Sequence, residues 1–497
     1  MRAAASAAER CGMMRPFGSR AALLAPFVLA ALAVGCSGGG SSGGGTPATA
    51  PTVNPALHYP HHVVVIVMEN RSVDNLFQFL PGADTASSGP NSHGGTTALT
   101  PVSLLAPYDP DHSHITGYLT EYANGKQNGF DLEQSTCSAP PGTPSYGCSE
   151  NVYAYVPQQE VQPYYQLAES YAFANHVLQT NAGPSYPAHE YLVAGQSGRP
   201  LAVAENPRPN VDGGCGNKTP DEAVALIDLS LPFPSNEDTS IFPCVDFPTI
   251  FDVLDAHKLS WKYYMPRKGT LWNALNQIKH LYASASAQAN ASLPETNILT
   301  DVKNGTLPDV SYVVPHSFWS DHANSTCTNL PMGPDFVGAI VDAIGESKYW
   351  NDTAIFVTWD DWGGWYDHIA PRTPLQLPND PYEYGFRVPL IAVSPYARNH
   401  TVDGTYRDFT AILRFIERVN GLPAIASDSM EQRTDDLTSM FRFGNQTPAP
   451  FQPIATAHSP AYWAALPSPL PACIAPTPFP TPSGGVPSGA VPPAEEF

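Results

Sequence analysis

Two acidic strand ends and one serine carry the chemistry this chain can offer. Glu69 and Asn70 close the run Val63–Asn70, VVVIVMEN, and Asp360 and Asp361 close a second run, Ala354–Trp359, AIFVTW. Hard oxygen donors packed together repel unless a cation sits among them, so convergence of these four residues would make a divalent-metal site. Ser185 lies in Gly183-Pro184-Ser185-Tyr186-Pro187, where Gly-Pro makes a tight bend before a helical stretch. A serine at such a place can face the positive end of a helix and act as a nucleophile. Each residue also has an ordinary reading. Asp and Asn favour turns and helix caps, and a serine at a helix start commonly caps it.

The elements that would position them follow from the hydrophobic pattern. Val63–Val67 is a run of branched aliphatics without alternation, which reads as a strand buried on both faces, as in a parallel sheet covered by helices. In open α/β sheets ligands bind beyond the carboxyl ends of the strands, where both acidic pairs fall. Helices are expected from Asn70 to Phe77, after Tyr164, over His189–Val193, Phe247–His257, Thr270–Tyr282, Phe336–Ile344 and Phe409–Arg418. Further strands are expected over Val310–Val314 and Val388–Val393. Alternation of strands and helices through residues 57–442 predicts a mostly parallel central sheet with helices on both faces. Residues 81–100 read as a loop, and 200–245, rich in Pro, Asp and Cys, as an insertion or cap near the site.

Bulk properties set limits. Of 497 residues, 42% are hydrophobic and only 14% charged, with Asp+Glu 45 against Lys+Arg 24 and a net charge of −21. That balance excludes non-specific nucleic-acid binding and would repel anions at long range, so a phosphate site needs local positive charge from a metal or histidine. Residues 1–36 read as a targeting segment, with Arg10, Arg15 and Arg20 before an apolar run from Ala21 to Val34. The run ends in Leu32-Ala33-Val34-Gly35-Cys36. Either Cys36 is lipidated, giving membrane attachment, or the segment is cleaved and the protein released; both place the protein in the periplasm, at the cell surface or outside. Residues 37–56 are a Gly/Ser-rich linker, 57–445 a catalytic domain, and 446–497 a Pro-rich extension expected to be partly disordered. The remaining cysteines pair most simply as Cys137–Cys148, Cys215–Cys244 and Cys327–Cys473, one of about 15 possible connectivities.

At these residues the chain resembles a known family. HHVVVIVMENRSVDNLF is similar to the opening signature of the bacterial phosphoesterase family, which holds phosphatidylcholine-type phospholipases C and respiratory-burst-inhibiting acid phosphatases. Further blocks agree in order: Asp111-His112 with Asn128-Gly129-Phe130, the Ser185 bend, Asp321-His322, Thr358–His368, and Gly385–Pro389 followed by SPYAR and FTAILRFIE. The resemblance implies an alkaline-phosphatase-like α/β fold with loop-rich insertions. It implies a divalent metal held by Glu69, Asn70, Ser185, Asp360 and Asp361, a Ser185 nucleophile, and a phosphate pocket lined by His112, His322 and His368. The chain departs from the family at several positions. Asp361 stands where Glu is usual, Val73 where Phe is, Asn128 and Asn175 where Asp is, and Ala188-His189 where Asn-Arg is. His316 has no place in the family pattern.

The expected activity is metal-dependent hydrolysis of phosphate esters through a phosphoserine, on monoesters like an acid phosphatase or on phospholipids like a phospholipase C. The competing class is a non-catalytic surface lipoprotein that binds a phosphorylated ligand on a degenerate hydrolase fold. The set Glu69, Asn70, Ser185, Asp360 and Asp361 weighs against it, since a binder needs no nucleophile.

Overall fold

The computed structural model describes residues 59–137, 146–148, 151–198, 202–204, 214–216, 224–228, 239–242, 244–268, 272–323, 332–371, 383–425, 435–444 and 447–467. Every described residue belongs to one compact unit within Thr46–Phe497. The targeting segment, Cys36, the linker up to residue 56, Cys327, Cys473 and the end of the Pro-rich extension therefore lie outside the described residues. So do the side chains of Cys137 and Cys148, whose backbones run in neighbouring strands. The Cys215–Cys244 disulfide is formed. Among the described residues no helix is long and apolar enough to cross a membrane.

Eight strands make the central sheet: β1 His62–Met68, β2 Ala172–Leu178, β3 Trp261–Tyr264, β4 Ala291–Ser292, β5 Val310–Val313, β6 Thr353–Trp359, β7 Arg387–Val393 and β8 Thr401–Asp408. Their spatial order is β4-β3-β5-β1-β6-β7-β2-β8. All neighbours are parallel except at β7, which runs against both β6 and β2. The expected mostly parallel α/β sheet is thus the observed one. Every residue of β6 and β7 is buried, so both faces of the sheet are covered. The cover is α1 Val73–Leu76, α2 Gln162–Ser170, α3 Ser185–Ala194, α4 Ile250–Ala256, α5 Asn297–Asn304, α6 Met332–Gly345 and α7 Thr410–Asn420, with shorter pieces between. α2 packs on α6, β2 and β7, whereas α3 packs on α4 and α7.

The aliphatic ribs do what their pattern predicts. Val63 through Met68 are at most 1% exposed, and each such buried side chain is worth roughly 1.5–3 kcal/mol of transfer free energy. Several elements differ from the expectation. Residues 81–100 contain a small hairpin, Ser88–Pro90 against Thr96–Ala98. Helix over Thr270–Tyr282 breaks into Ala274–Gln277 and Lys279–Ala283, with Ile278 extended between them. Within 200–245, Ala202–Ala204, Val224–Asp228 and Thr239–Ile241 form their own antiparallel sheet. α3 begins at Ser185 itself rather than at His189.

Candidate active site

β1 and β6 run side by side in register from His62 opposite Thr353 to Met68 opposite Trp359. The next residue of each strand, Glu69 and Asp360, therefore stand abreast at the carboxyl edge of the sheet. The two turns are laced together. Asn70 N–H donates to Asp360 Oδ1 (3.0 Å), Asp361 N–H to the same oxygen (2.8 Å), and Arg71 N–H to the Asp361 carbonyl (2.9 Å). Asn70 takes a left-handed φ of 58°, which Asn tolerates better than most residues. Gly363, at φ 63°, lies so close that a Cβ there would come within 2.4 Å of the Asn70 carbonyl oxygen, so only glycine fits.

Ser185 arrives from the other side. Pro184 is the extended N-cap of α3 and Pro187 falls in its first turn, where proline is tolerated, so the helix starts at the bend and points its positive end at the strand tips. Ser185 Oγ–H donates to Asp361 Oδ2 (3.0 Å) and lies 3.4 Å from the Asn70 amide. Four residues on, the same helical face delivers His189, whose Nε2 is 2.9 Å from Glu69 Oε1 and 3.7 Å from Asp360 Oδ2. Glu69, Asn70, Asp360 and Asp361 are wholly buried, and Ser185 and His189 nearly so.

The histidines of the expected phosphate pocket close the far side. His112 Nδ1–H donates to the Pro110 carbonyl (2.8 Å) and His322 Nδ1–H to the Ala323 carbonyl (2.7 Å), which turns both Nε2 atoms inward. The Asn70 amide bridges the two groups: one end lies 3.0 and 3.2 Å from the Nε2 atoms of His112 and His322, the other 3.3 and 3.2 Å from Asp360 Oδ1 and Glu69 Oε2. Oxygen toward the histidines satisfies the hydrogen bonds without an ion, and oxygen toward the carboxylates is the orientation of a metal ligand. Burial acts to lower the His112 pKa, but Asp361, Asp109 and the Pro110 carbonyl outweigh it and push it up to about 9. The charges around it thus favour the protonated ring, which has an Nε2–H to give.

The carboxylates are under opposite stress. Burial first, then Asp360 and Asp361, lifts Glu69 well above the usual carboxylate range; burial and Asp360 do the same to Asp361. Asp360 Oδ2 has no hydrogen-bond partner, and among the described residues no lysine or arginine is paired with any of the three. Burial pulls His189 down to about 4, against Asp360, leaving a neutral imidazole. Concentrated, buried oxygen donors without a lysine or arginine partner among the described residues, one oxygen of them without a hydrogen bond, fit a divalent cation, which would relieve the repulsion that raises Glu69 and Asp361.

Other expected residues go elsewhere. His368 makes its contacts in a separate group: Nδ1 is 2.7 Å from Asp74 Oδ2 and Nε2 is 3.2 Å from Asp84 Oδ1. Both of its ring nitrogens are thus engaged, so it props the loop after β6 rather than facing Ser185. His316 is a cap: its Nδ1 accepts from Phe318 N–H and its own N–H donates to Glu295. Asp321 accepts from Tyr164 Oη–H (2.7 Å) and Trp359 Nε1–H (3.1 Å), while Arg71 grips its carbonyl, which fixes the His322 backbone. His189 is the member of this cluster that motif and composition do not single out. The signal was its i+4 spacing from Ser185, obscured because the helix was expected to begin at His189.

The sequence model of the Phosphoesterase family matches residues 60–423. The chain is 26% identical over 436 residues to "Non-hemolytic phospholipase C" of Burkholderia pseudomallei, an alignment that spans 77% of this chain and 59% of that protein. It is 25% identical over 461 residues to "Phospholipase C B" of Mycobacterium tuberculosis, 79% of each chain. Among solved structures, a protein in the alkaline phosphatase superfamily from Vibrio parahaemolyticus aligns over 79% of this chain and 71% of its own, with 12% identity and a TM-score of 0.34.

Proposed function

We propose that this chain, which belongs to the phosphoesterase family, hydrolyses phosphate esters at the site between β1, β6 and α3, with Ser185 as nucleophile and a divalent cation as cofactor. The observation that carries the reading is the placement of Ser185 Oγ, 3.0 Å from Asp361 Oδ2 at the start of a helix aimed at three buried carboxylates. The names of the relatives favour a phospholipid headgroup ester as substrate, cleaved on the diacylglycerol side of the phosphorus.

Glu69, Asn70, Asp360, Asp361 and Ser185 would hold the ion. When bound it supplies positive charge to the phosphoryl oxygens and lowers the pKa of the serine hydroxyl. Asp361 Oδ2 already accepts the Ser185 Oγ–H, so the proton has a route off as the Oγ–P bond forms. His112, cationic and aimed by its bond to the Pro110 carbonyl, stabilises charge on the transferred group and gives its Nε2 proton to the departing alcohol oxygen. His322, fixed on the Ala323 carbonyl, presents a second Nε2 to the phosphoryl oxygens. The phosphoserine is then hydrolysed by water, with His112 taking a proton back from it, and inorganic phosphate or phosphocholine-type headgroup phosphate leaves.

Ser185→Ala should lower kcat/KM at least about a thousandfold on p-nitrophenyl phosphate, bis-p-nitrophenyl phosphate or phosphatidylcholine, whichever the protein turns over. Turnover within tenfold of wild type would remove Ser185 from the reaction. The ranking of the three substrates separates phospholipid from monoester hydrolysis.

A further inference from the structure

We propose that His189 is a nitrogen ligand of the metal site, and that it makes the site select Zn2+ over Mg2+ and Ca2+. The inference rests on the metal-dependent reading above and extends it to the class of ion.

The geometry is that of a donor set closing on one point. The ligand atoms of Glu69, His189 and Asp360 all lie within 4.8 Å of one another, and all three residues are buried. Donors about 2 Å from a tetrahedral ion are about 3.3 Å apart. His189 Nε2 stands 2.9 Å from Glu69 Oε1 and 3.7 Å from Asp360 Oδ2, on either side of that spacing. A proton shared between His189 and Glu69 would satisfy that pair alone. It leaves Asp360 Oδ2, fully buried, with no hydrogen-bond partner. A cation among the three satisfies all of them at once.

The helix explains why the nitrogen is there. Ser185 and His189 are four apart on α3, hence one above the other on the same face, so the element that brings the nucleophile also brings the imidazole. A site made only of Glu69, Asn70, Asp360, Asp361 and a serine hydroxyl is an all-oxygen site, which suits Mg2+ or Ca2+. Adding an imidazole to that set moves the preference toward borderline ions, for which zinc is the common biological occupant.

The test uses the full-length protein, stripped by chelator and refilled. Competition titrations with Zn2+, Mg2+ and Ca2+ should show Zn2+ bound roughly a hundredfold or more tighter in wild type than in His189→Gln, with Mg2+ affinity changed less than about threefold. Should the buried substitution impair folding, wild type refilled with Cu2+ gives an independent readout, since pulsed electron paramagnetic resonance detects the remote nitrogen of a coordinated imidazole. An imidazole signal in wild type, lost in a folded His189→Gln or His189→Asn, supports the assignment. Absence of that signal, or unchanged Zn2+ affinity in the variant, overturns it. The two readings fail separately. Metal-dependent ester hydrolysis with zinc affinity indifferent to residue 189 sinks the ligand assignment and spares the function. His189-dependent zinc binding without any ester hydrolysis does the reverse.

Discussion

Two buried groups of carboxylates stand in this molecule, built from the same residue types and meeting opposite fates. In one, Glu69, Asp360 and Asp361 crowd together with, among the described residues, no arginine or lysine paired to them, and Asp360 Oδ2 makes no hydrogen bond. In the other, Asp74 and Asp367 are gripped by Arg387, which makes a two-pronged bond to Asp367 at 2.8 and 3.1 Å, and by His368 on Asp74 at 2.7 Å. Burial lifts Asp367 too, but there Arg387 opposes it, and the two aspartates in turn hold the Arg387 pKa up against burial. The second group carries its own cation in covalent form. The first has, among the described residues, no lysine or arginine to do this, and the charge of His112 opposes the rise of Asp361 without cancelling it, which is why the first reads as a site and the second as a structural rivet.

The largest effect should separate them by function. Asp360→Asn removes a donor from the first group without removing bulk, and kcat/KM should fall about a thousandfold or more, a loss chelation should reproduce in wild type. Retained activity in both experiments would show that the first group needs no ion. In the second group the effect should fall on stability. Arg387→Met leaves Asp367 buried without its cation and Asp74 with His368 alone, at a cost of about 3–5 kcal/mol in denaturant unfolding. A loss under about 1 kcal/mol would mean that the rivet holds nothing.

Which of these features the sequence could show follows from their range. The ribs Val63–Met68 and Ala354–Trp359 were legible because a strand buried on both faces leaves an unbroken aliphatic run, and their acidic ends were legible because charge interrupts such a run. Strand β8 was not, because Thr401–Asp408 is a partly exposed edge with a polar sequence, TVDGTYRD. Strand β3, Trp261–Tyr264, is too short for periodicity to register. The rivet was invisible: Asp74 and Arg387 are 313 positions apart, 387 minus 74, and neither is locally unusual. The place of His368 in a family block implies the phosphate pocket. The block is real, but a motif fixes a residue's neighbours in sequence, not the direction its ring faces.

A smaller effect tests the sign of the comparison. In chelated protein Glu69→Gln should raise stability, by an amount on the order of 1–3 kcal/mol, whereas a neutral substitution in the rivet lowers it. Glu69 has its pKa raised by burial and by Asp360, above its unfolded value. Its contribution to stability is therefore whole below about pH 4.5 and lost as pH rises toward the folded pKa. The gain from Glu69→Gln should accordingly vanish in acid and grow toward neutral pH, and added metal should abolish it. A variant less stable than wild type at pH 7 without metal would contradict the view that the first group is strained when empty.

The smallest effect isolates the rivet's own titration. Burial acts to lower the His368 pKa, but its bond to Asp74 and the charges of Asp74 and Asp367 raise it above 6.5. A raised histidine contributes stability that is fully present below its unfolded pKa and is lost as pH climbs through the folded one. The window therefore opens above about pH 6.5, higher than that of Glu69. His368 is one-fifth exposed, so solvent screens the pair and the term should be about 1 kcal/mol or less. His368→Gln should flatten unfolding free energy across that window, with or without metal. The first group's pH dependence, in contrast, should disappear whenever metal is bound. If metal flattened both windows, the two groups would be one coupled system and the separation between site and rivet would fail.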